Sequence, residues 1–246
     1  MDDVVLYALA ADGVATITLN RPLARNALDM AMAEALAQAA RRASAEGARL
    51  VLLRAEGPVF GAGADLKERQ GMGDDAVRAR RVKGFAAYAA IEALPMPSIA
   101  VVEGPAVGSG VEMAAACDII LATPAASFRT PEALWGTVGA TQRLPRVLGK
   151  RLAKDLMFTG RVLSAEEALA HGLVARLVPA EGLEAALAEM TGAILKAPPA
   201  ALRLAKRCID EGVELDPRGA LAAELLAIEE SLAAAEWKAR MAGFGR

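Results

Sequence analysis

Hydrophobic positions in the first half of the chain change period repeatedly, from the alternating or continuous runs of strands to the three-and-four spacing of helices. The segment "VVLYALAADGVATITLN" (4–20) holds two β-rich runs around Ala11-Asp12-Gly13, which predicts a hairpin closed by a turn. In "NALDMAMAEALAQAARRASAEG" (26–47), Leu28, Met32 and Leu36 fall on one helical face, and Gly47 supplies the stop. A buried strand is expected over Leu50 to Arg54, running into a glycine-alanine loop. "PSIAVVEG" predicts a further strand and "CDIILATPAASF" another. From Pro131 onward the pattern turns helical, apart from "LVARLVP". Leu183, Leu187, Met190 and Ile194 form one apolar stripe; Leu221, Leu225, Ile228 and Leu232 form a second. Strand–helix alternation followed by helices predicts an α/β core with a helical C-terminal part. Pro198-Pro199 reads as a helix start within that part rather than a domain break.

Composition narrows the function classes. Of 246 residues, 54% are hydrophobic and 24% charged, a globular balance in a chain long enough for one large domain with an appendage. A net charge of −2 and the absence of a long basic run argue against nucleic acid or an anionic membrane as partner. The densest basic stretch, Arg78 to Lys83, is mixed with apolar residues and reads as a solvated helix face. Nothing approaches the ~18 uninterrupted apolar residues that span a bilayer. The stretch from Val4 to Ala11 follows two aspartates and lacks a basic leader region. Cys117 and Cys208 have no metal-ligand spacing and read as thiols of a reducing compartment, so a cytoplasmic protein without a metal is expected.

A single histidine, His171, excludes multi-histidine metal sites and leaves nucleophilic triads only one candidate base. It stands in "EEALAHGLVARLV", where His-Gly ends a helix and meets the helix dipole. Catalysis would then rest on carboxylates and backbone groups. Two segments join a strand end, glycines and a helix start: "FGAGADL" (60–66) and "GPAVGSGVE" (104–112). Small residues let a backbone approach a ligand, and a helix N-terminus presents unpaired N–H groups. Neither segment has dinucleotide, P-loop or nucleophile-elbow spacing. The second carries Glu112 into an apolar helix, where an isolated charge is costly to bury.

Taken with "ITLNRPLARNAL", "FRTPEALWGT", "TQRLPRVLGKRLAKDLMFTGR" and "SAEEALAHGLVARLVP", these segments identify a resemblance to the crotonase (enoyl-CoA hydratase/isomerase) superfamily over nearly the whole chain. The resemblance implies a ββα spiral core over 1–190 and a helical oligomerisation region over 191–246, assembled as a trimer or dimer of trimers. It implies an acyl-CoA thioester substrate, with coenzyme A arriving as part of that substrate and no separate cofactor. The thioester oxygen would accept backbone N–H bonds from Ala62 and Ser109, the latter following Gly108. The adenine and pantetheine surface maps to Leu23, Ala24, Arg25, Ala62 and Ala64, with Asp65 and Leu66 beside it and Trp135 toward the acyl group. Glu112 lies one helical turn after Ser109, and Glu132 takes the second acid position of the hydratases.

Family members that carry both acids add water across an enoyl thioester. Those lacking one more often isomerise, decarboxylate or hydrolyse. Where hydratases commonly read "GTIPGAGGTQRL" beyond the second acid, this chain reads "GTVGATQRL", three residues shorter. An isomerase or another enolate-forming enzyme using one glutamate is therefore the alternative. RNA binding through a helix is a weaker expectation, since helix 26–47 offers Arg41 and Arg42 but no lysine comb.

Overall fold

The computed structural model describes residues 3–234 and Trp237. Strands β1 (Val5–Leu9) and β2 (Val14–Leu19) form the expected hairpin, with Val5 opposite Leu19. Its turn closes by the Gly13 N–H donating to the Ala10 carbonyl at 3.0 Å. Helix α1 (Met30–Ala45) begins later than the hydrophobic spacing suggests. The Asp29 carboxylate accepts the Met32 N–H at 2.7 Å and caps the helix, so Leu28 lies outside it. Leu28 pairs instead with Ala64 in an isolated parallel bridge, and that bridge ties the segment before α1 to the glycine-alanine loop.

The chain then runs through β3 (Leu50–Ala55), α2 (Leu66–Arg69), α3 (Asp74–Glu92), β4 (Ser98–Val102), β5 (Pro105–Val107) and α4 (Ser109–Ala115). After β6 (Ile119–Ala122) and β7 (Ser127–Arg129) come α5 (Arg143–Thr159), β8 (Val162–Ser164), α6 (Ala165–Ala170) and β9 (Arg176–Leu177). Helices α7 (Leu183–Leu195), α8 (Pro199–Gly212) and α9 (Pro217–Ala233) complete it. Six strands form one sheet in the order β1-β2-β3-β4-β6-β9, parallel except for the first hairpin pair. A second sheet has the order β5-β7-β8. The chain repeatedly places one strand in the large sheet, the next in the small one, and then turns into a helix: β4-β5-α4 is the clearest turn of this spiral.

The large sheet is buried on both faces, which accounts for its continuous hydrophobic runs. Val51, Leu53, Ala100 and Val102 pack with Met32 and Leu36 of α1 and Val111 and Met113 of α4. On the opposite face Leu50, Leu52, Ile99, Val101 and Leu121 pack against Leu183, Leu187 and Met190 of α7. Each such leucine or isoleucine taken out of water contributes about 1.5–3 kcal/mol. The boundary expected at residue 190 falls inside α7, because this helix covers a face of the core sheet. Three readings change, two because three-residue strands lack a pattern of their own and one because a buried acceptor and carboxylate draw an arginine inward. β5 occupies what reads as a glycine cluster, β8 sits in the expected helical half, and Arg80, placed on a solvated face, is buried. Its guanidinium bonds Glu68 at 2.6 Å and the Leu28 carbonyl, holding α3 against the bridge.

Candidate active site

The two glycine-bearing loops lie side by side because their backbones nearly touch. Gly61 forms a parallel bridge with Ala106 of β5, and the Val107 N–H donates to the Gly61 carbonyl at 2.7 Å. A Cβ on Gly110 would stand 2.3 Å from that same carbonyl oxygen, so only glycine lets α4 approach the loop. The Leu28–Ala64 bridge spends the Leu28 N–H on Gly63 (2.8 Å) and the Leu28 carbonyl on the Asp65 N–H (2.9 Å). Ala64's own N–H therefore faces away from Leu28 and, among the described residues, meets no acceptor. Ser109 is the first residue of α4, where an N–H has no partner within the helix. Gly108, at φ 50°, turns the chain into that helix, and a Cβ there would lie 3.7 Å from the Gly63 Cα.

Ala62 does not offer the donor expected of it. Its N–H bonds the Arg25 carbonyl at 2.9 Å and is spent there, whereas the Ala64 N–H meets no acceptor among the described residues. The Ala62 bond has a different use, since it fastens the Leu23–Arg25 segment to the loop. That segment is a short 3-10 turn, Pro22–Ala24, ended by Arg25 in the left-handed conformation. Leu23 stands fully exposed at its tip. Below it, the buried Asn26 side chain accepts the Arg21 N–H at 2.8 Å and donates to the carbonyls of Glu56 and Val59 at 2.9 and 2.8 Å. Arg21 bridges Asp29 and Asp65 at 3.0 and 3.1 Å. Burial works to raise the Asp65 carboxyl, but the Glu68 and Lys67 N–H groups and Arg21 hold it below the usual carboxylate range. Asp65 is thus the cap of α2 and an anchor of the loop, while Leu66 beside it is exposed.

Both glutamates reach this place. Glu112 is only 6% exposed, and its Oε2 accepts from Arg143 Nη1 at 2.8 Å. Glu132 stands in the 3-10 turn Glu132–Trp135, with its carboxyl against the start of α4: a Cβ on Gly108 would lie 2.8 Å from its Oε1. Its Oε2 is buried without a partner. Burial pushes the Glu132 carboxyl above the ordinary carboxylate range, and the charge of Glu112 adds to this against its own backbone N–H and Arg81. Trp135 ends the turn 73% exposed. The shortened loop that follows is held from α3, where Arg81 donates to the Thr137 hydroxyl and to the Val138 carbonyl at 2.8 Å. Tyr88, also on α3, has its phenol pushed up to about 12 by burial, with the Ser109 side chain working the other way.

Arg143, Arg81 and Tyr88 are residues that sequence reasoning missed. Arg143 lies in the quoted "TQRL" stretch, but nothing in the order of residues says that it meets a glutamate 31 positions earlier. His171 ends α6, as the His-Gly pattern suggests. Among the described residues there is no cluster of side chains suited to a metal ion, and no helix long and apolar enough to cross a membrane.

A ββα spiral that brings two glycine-bearing loops and two acids to one helix start has the crotonase fold. The chain belongs to the enoyl-CoA hydratase/isomerase family, whose model matches residues 10–245. It is similar to the mouse protein "Enoyl-CoA hydratase domain-containing protein 2, mitochondrial", at 40% identity over 94% of this chain and 81% of that one. It is 36% identical to human "Methylglutaconyl-CoA hydratase, mitochondrial", over 86% of this chain and 65% of that one. The crystal structure of an enoyl-CoA hydratase from Bacillus anthracis superimposes with a TM-score of 0.88 at 37% identity, covering 92% of this chain and 90% of that one.

Proposed function

We propose that the protein is an enoyl-CoA hydratase, adding water across the 2,3 double bond of an enoyl-CoA thioester. The observation that carries this reading is the meeting of Glu112 and Glu132 at the start of α4, beside two amides without acceptors. Addition of a nucleophile to Cβ moves negative charge onto the thioester oxygen. The N–H groups of Ala64 and Ser109 would receive that charge, and each such donor is worth roughly 3 kcal/mol of barrier. The N-terminus of α4 adds its own favourable field. Glu112, charge-paired with Arg143, is the acid suited to take a proton from water as its oxygen bonds Cβ. Glu132, whose carboxyl is raised, is suited to give a proton to Cα. After the step the two exchange protons with solvent and the cycle is balanced.

The coenzyme A part would lie along Leu23–Arg25, held by the Ala62–Arg25 bond, with no cofactor beyond the substrate. Assembly into a trimer or a dimer of trimers fits the leucines of α9, Leu221, Leu225 and Leu232, which stand exposed among the described residues. One observation favours isomerisation as the second reading. With Glu112 engaged by Arg143, Glu132 is the acid without a cationic partner among the described residues, and a single such base suffices to move a proton between carbons. Incubation with crotonyl-CoA and longer enoyl-CoAs separates the two. Loss of the conjugated thioester absorbance with formation of a 3-hydroxyacyl-CoA supports hydration. An intact 2-enoyl substrate, together with conversion of a 3-enoyl-CoA, would replace it by isomerisation.

A further inference from the structure

Two carboxylic acids that meet at one helix start need something to tell them apart. Here that something is the first residue of α5. Arg143 Nη1 donates to Glu112 Oε2 at 2.8 Å, and its Nη2 donates to Glu92 Oε2 on α3 at 2.5 Å. Its guanidinium carbon lies 5.7 Å from the centroid of the Tyr88 ring. Three side chains, from α4 and α3, thus hold one cation in place, and the contact with Glu112 is single. Oε2 is occupied, while Glu112 Oε1 meets no partner among the described residues. A bidentate pair would have blocked the carboxylate; this one leaves an oxygen free. Glu132 receives no such contact, and its Oε2 is buried and unpaired.

We infer that Arg143 is a positioning residue that aims Glu112, sets a cation on that carboxylate and none on Glu132, and so divides base from acid between two chemically equivalent side chains. The inference rests on the enolate-forming reading of the site. The ionisable groups around Glu112 are Arg143 from α5, Tyr88 and, across Arg143, Glu92 from α3, and Glu132 from the turn before α5. Only Arg143 among them places a cation on the carboxylate. A plain structural tether would look the same in a static structure, because Arg143 also joins α5 to α3 and α4. The two differ in what happens to the reaction when the charge is removed.

The test is the pH dependence of kcat/KM for wild type, Arg143→Met and Arg143→Lys with crotonyl-CoA, with deuterium uptake at Cα followed in parallel. In Arg143→Met the buried Glu112 loses its cation beside another acid, so it takes up a proton more readily. Turnover should fall about 10²-fold, and the acidic limb of the profile should move to higher pH. Arg143→Lys restores a charge without the planar fork and should return the limb most of the way while recovering only part of the rate. Folded Arg143→Met protein with near wild-type turnover and an unmoved limb would overturn the inference. So would equal losses in Met and Lys variants with no limb shift, the signature of a tether. Should Arg143→Met not fold, Arg143→Gln takes its place, since it too removes the charge: a folded Arg143→Gln protein with an unmoved acidic limb overturns the inference. A wild type that exchanges deuterium without hydrating leaves the inference standing and removes the hydratase reading. A wild type inert in both assays removes the reaction and the role of Arg143 with it.

Discussion

Glu132 and Ser109 show how one residue's surroundings set its chemistry. Glu132 is raised because burial and the Glu112 charge both favour its neutral form. An acid whose folded value lies above its unfolded one costs stability as pH climbs from the ordinary carboxylate range through the raised value, and the cost is complete above it. Glu132→Gln should therefore raise Tm more at pH 8 than at pH 5, while cutting turnover about 10²-fold or more. Thermal scans at both pH values check the first half, and equal shifts at the two would show that the carboxyl is not perturbed. Ser109 separates backbone from side chain. Ser109→Ala keeps the N–H and should retain turnover within a few-fold. Ser109→Pro removes the N–H at a first helical position that suits proline, and should lose about 10²–10³-fold in kcat. A dead Ser109→Ala enzyme that still binds coenzyme A would point to nucleophilic chemistry, for which His171 at the end of α6 offers no base.

At the scale of elements, the site depends on α4 lying against the glycine-alanine loop. A methyl group on Gly110 would press 2.3 Å from the Gly61 carbonyl oxygen and 2.9 Å from its carbon, and both are backbone atoms that cannot rotate away. Gly110→Ala should cost about 3 kcal/mol, the upper end for overpacking, which is roughly 6–12 °C in Tm for a chain of this size. Its turnover should fall further than its stability implies, because the Ala64 and Ser109 amides separate with the loop and helix that carry them. A Gly110→Ala protein with unchanged Tm would show that the two segments move apart easily. The 3-10 turn at Pro22–Ala24 is braced in the opposite way, by side chains. Asn26, itself fully buried, bonds three backbone groups, and Arg21 ties the same turn to the cap of α2.

At the scale of the whole molecule, the large sheet is sealed on both faces, whereas α9 turns Leu221, Leu225, Leu226 and Leu232 to the outside. Light scattering at micromolar concentration should give a homo-oligomer in multiples of three, and a monomer would end that expectation. Much of the architecture was legible in the order of residues. The hairpin, the buried strands, the stop at Gly47 and the cap after His171 follow from turn chemistry and hydrophobic period, which act over a few neighbouring residues. The resemblance pointed to both acids and to Ser109. The partners of those residues were not legible. That Ala62 spends its amide on Arg25 while Ala64 keeps its own free depends on a bridge between residues 36 positions apart, Leu28 and Ala64. That Arg143 selects Glu112 and leaves Glu132 uncompensated depends on α5 crossing α4. Periodicity speaks for local backbone and burial; hydrogen-bond ownership and charge pairing are settled only when distant segments share one desolvated space, where each donor and each charge has few partners to choose from.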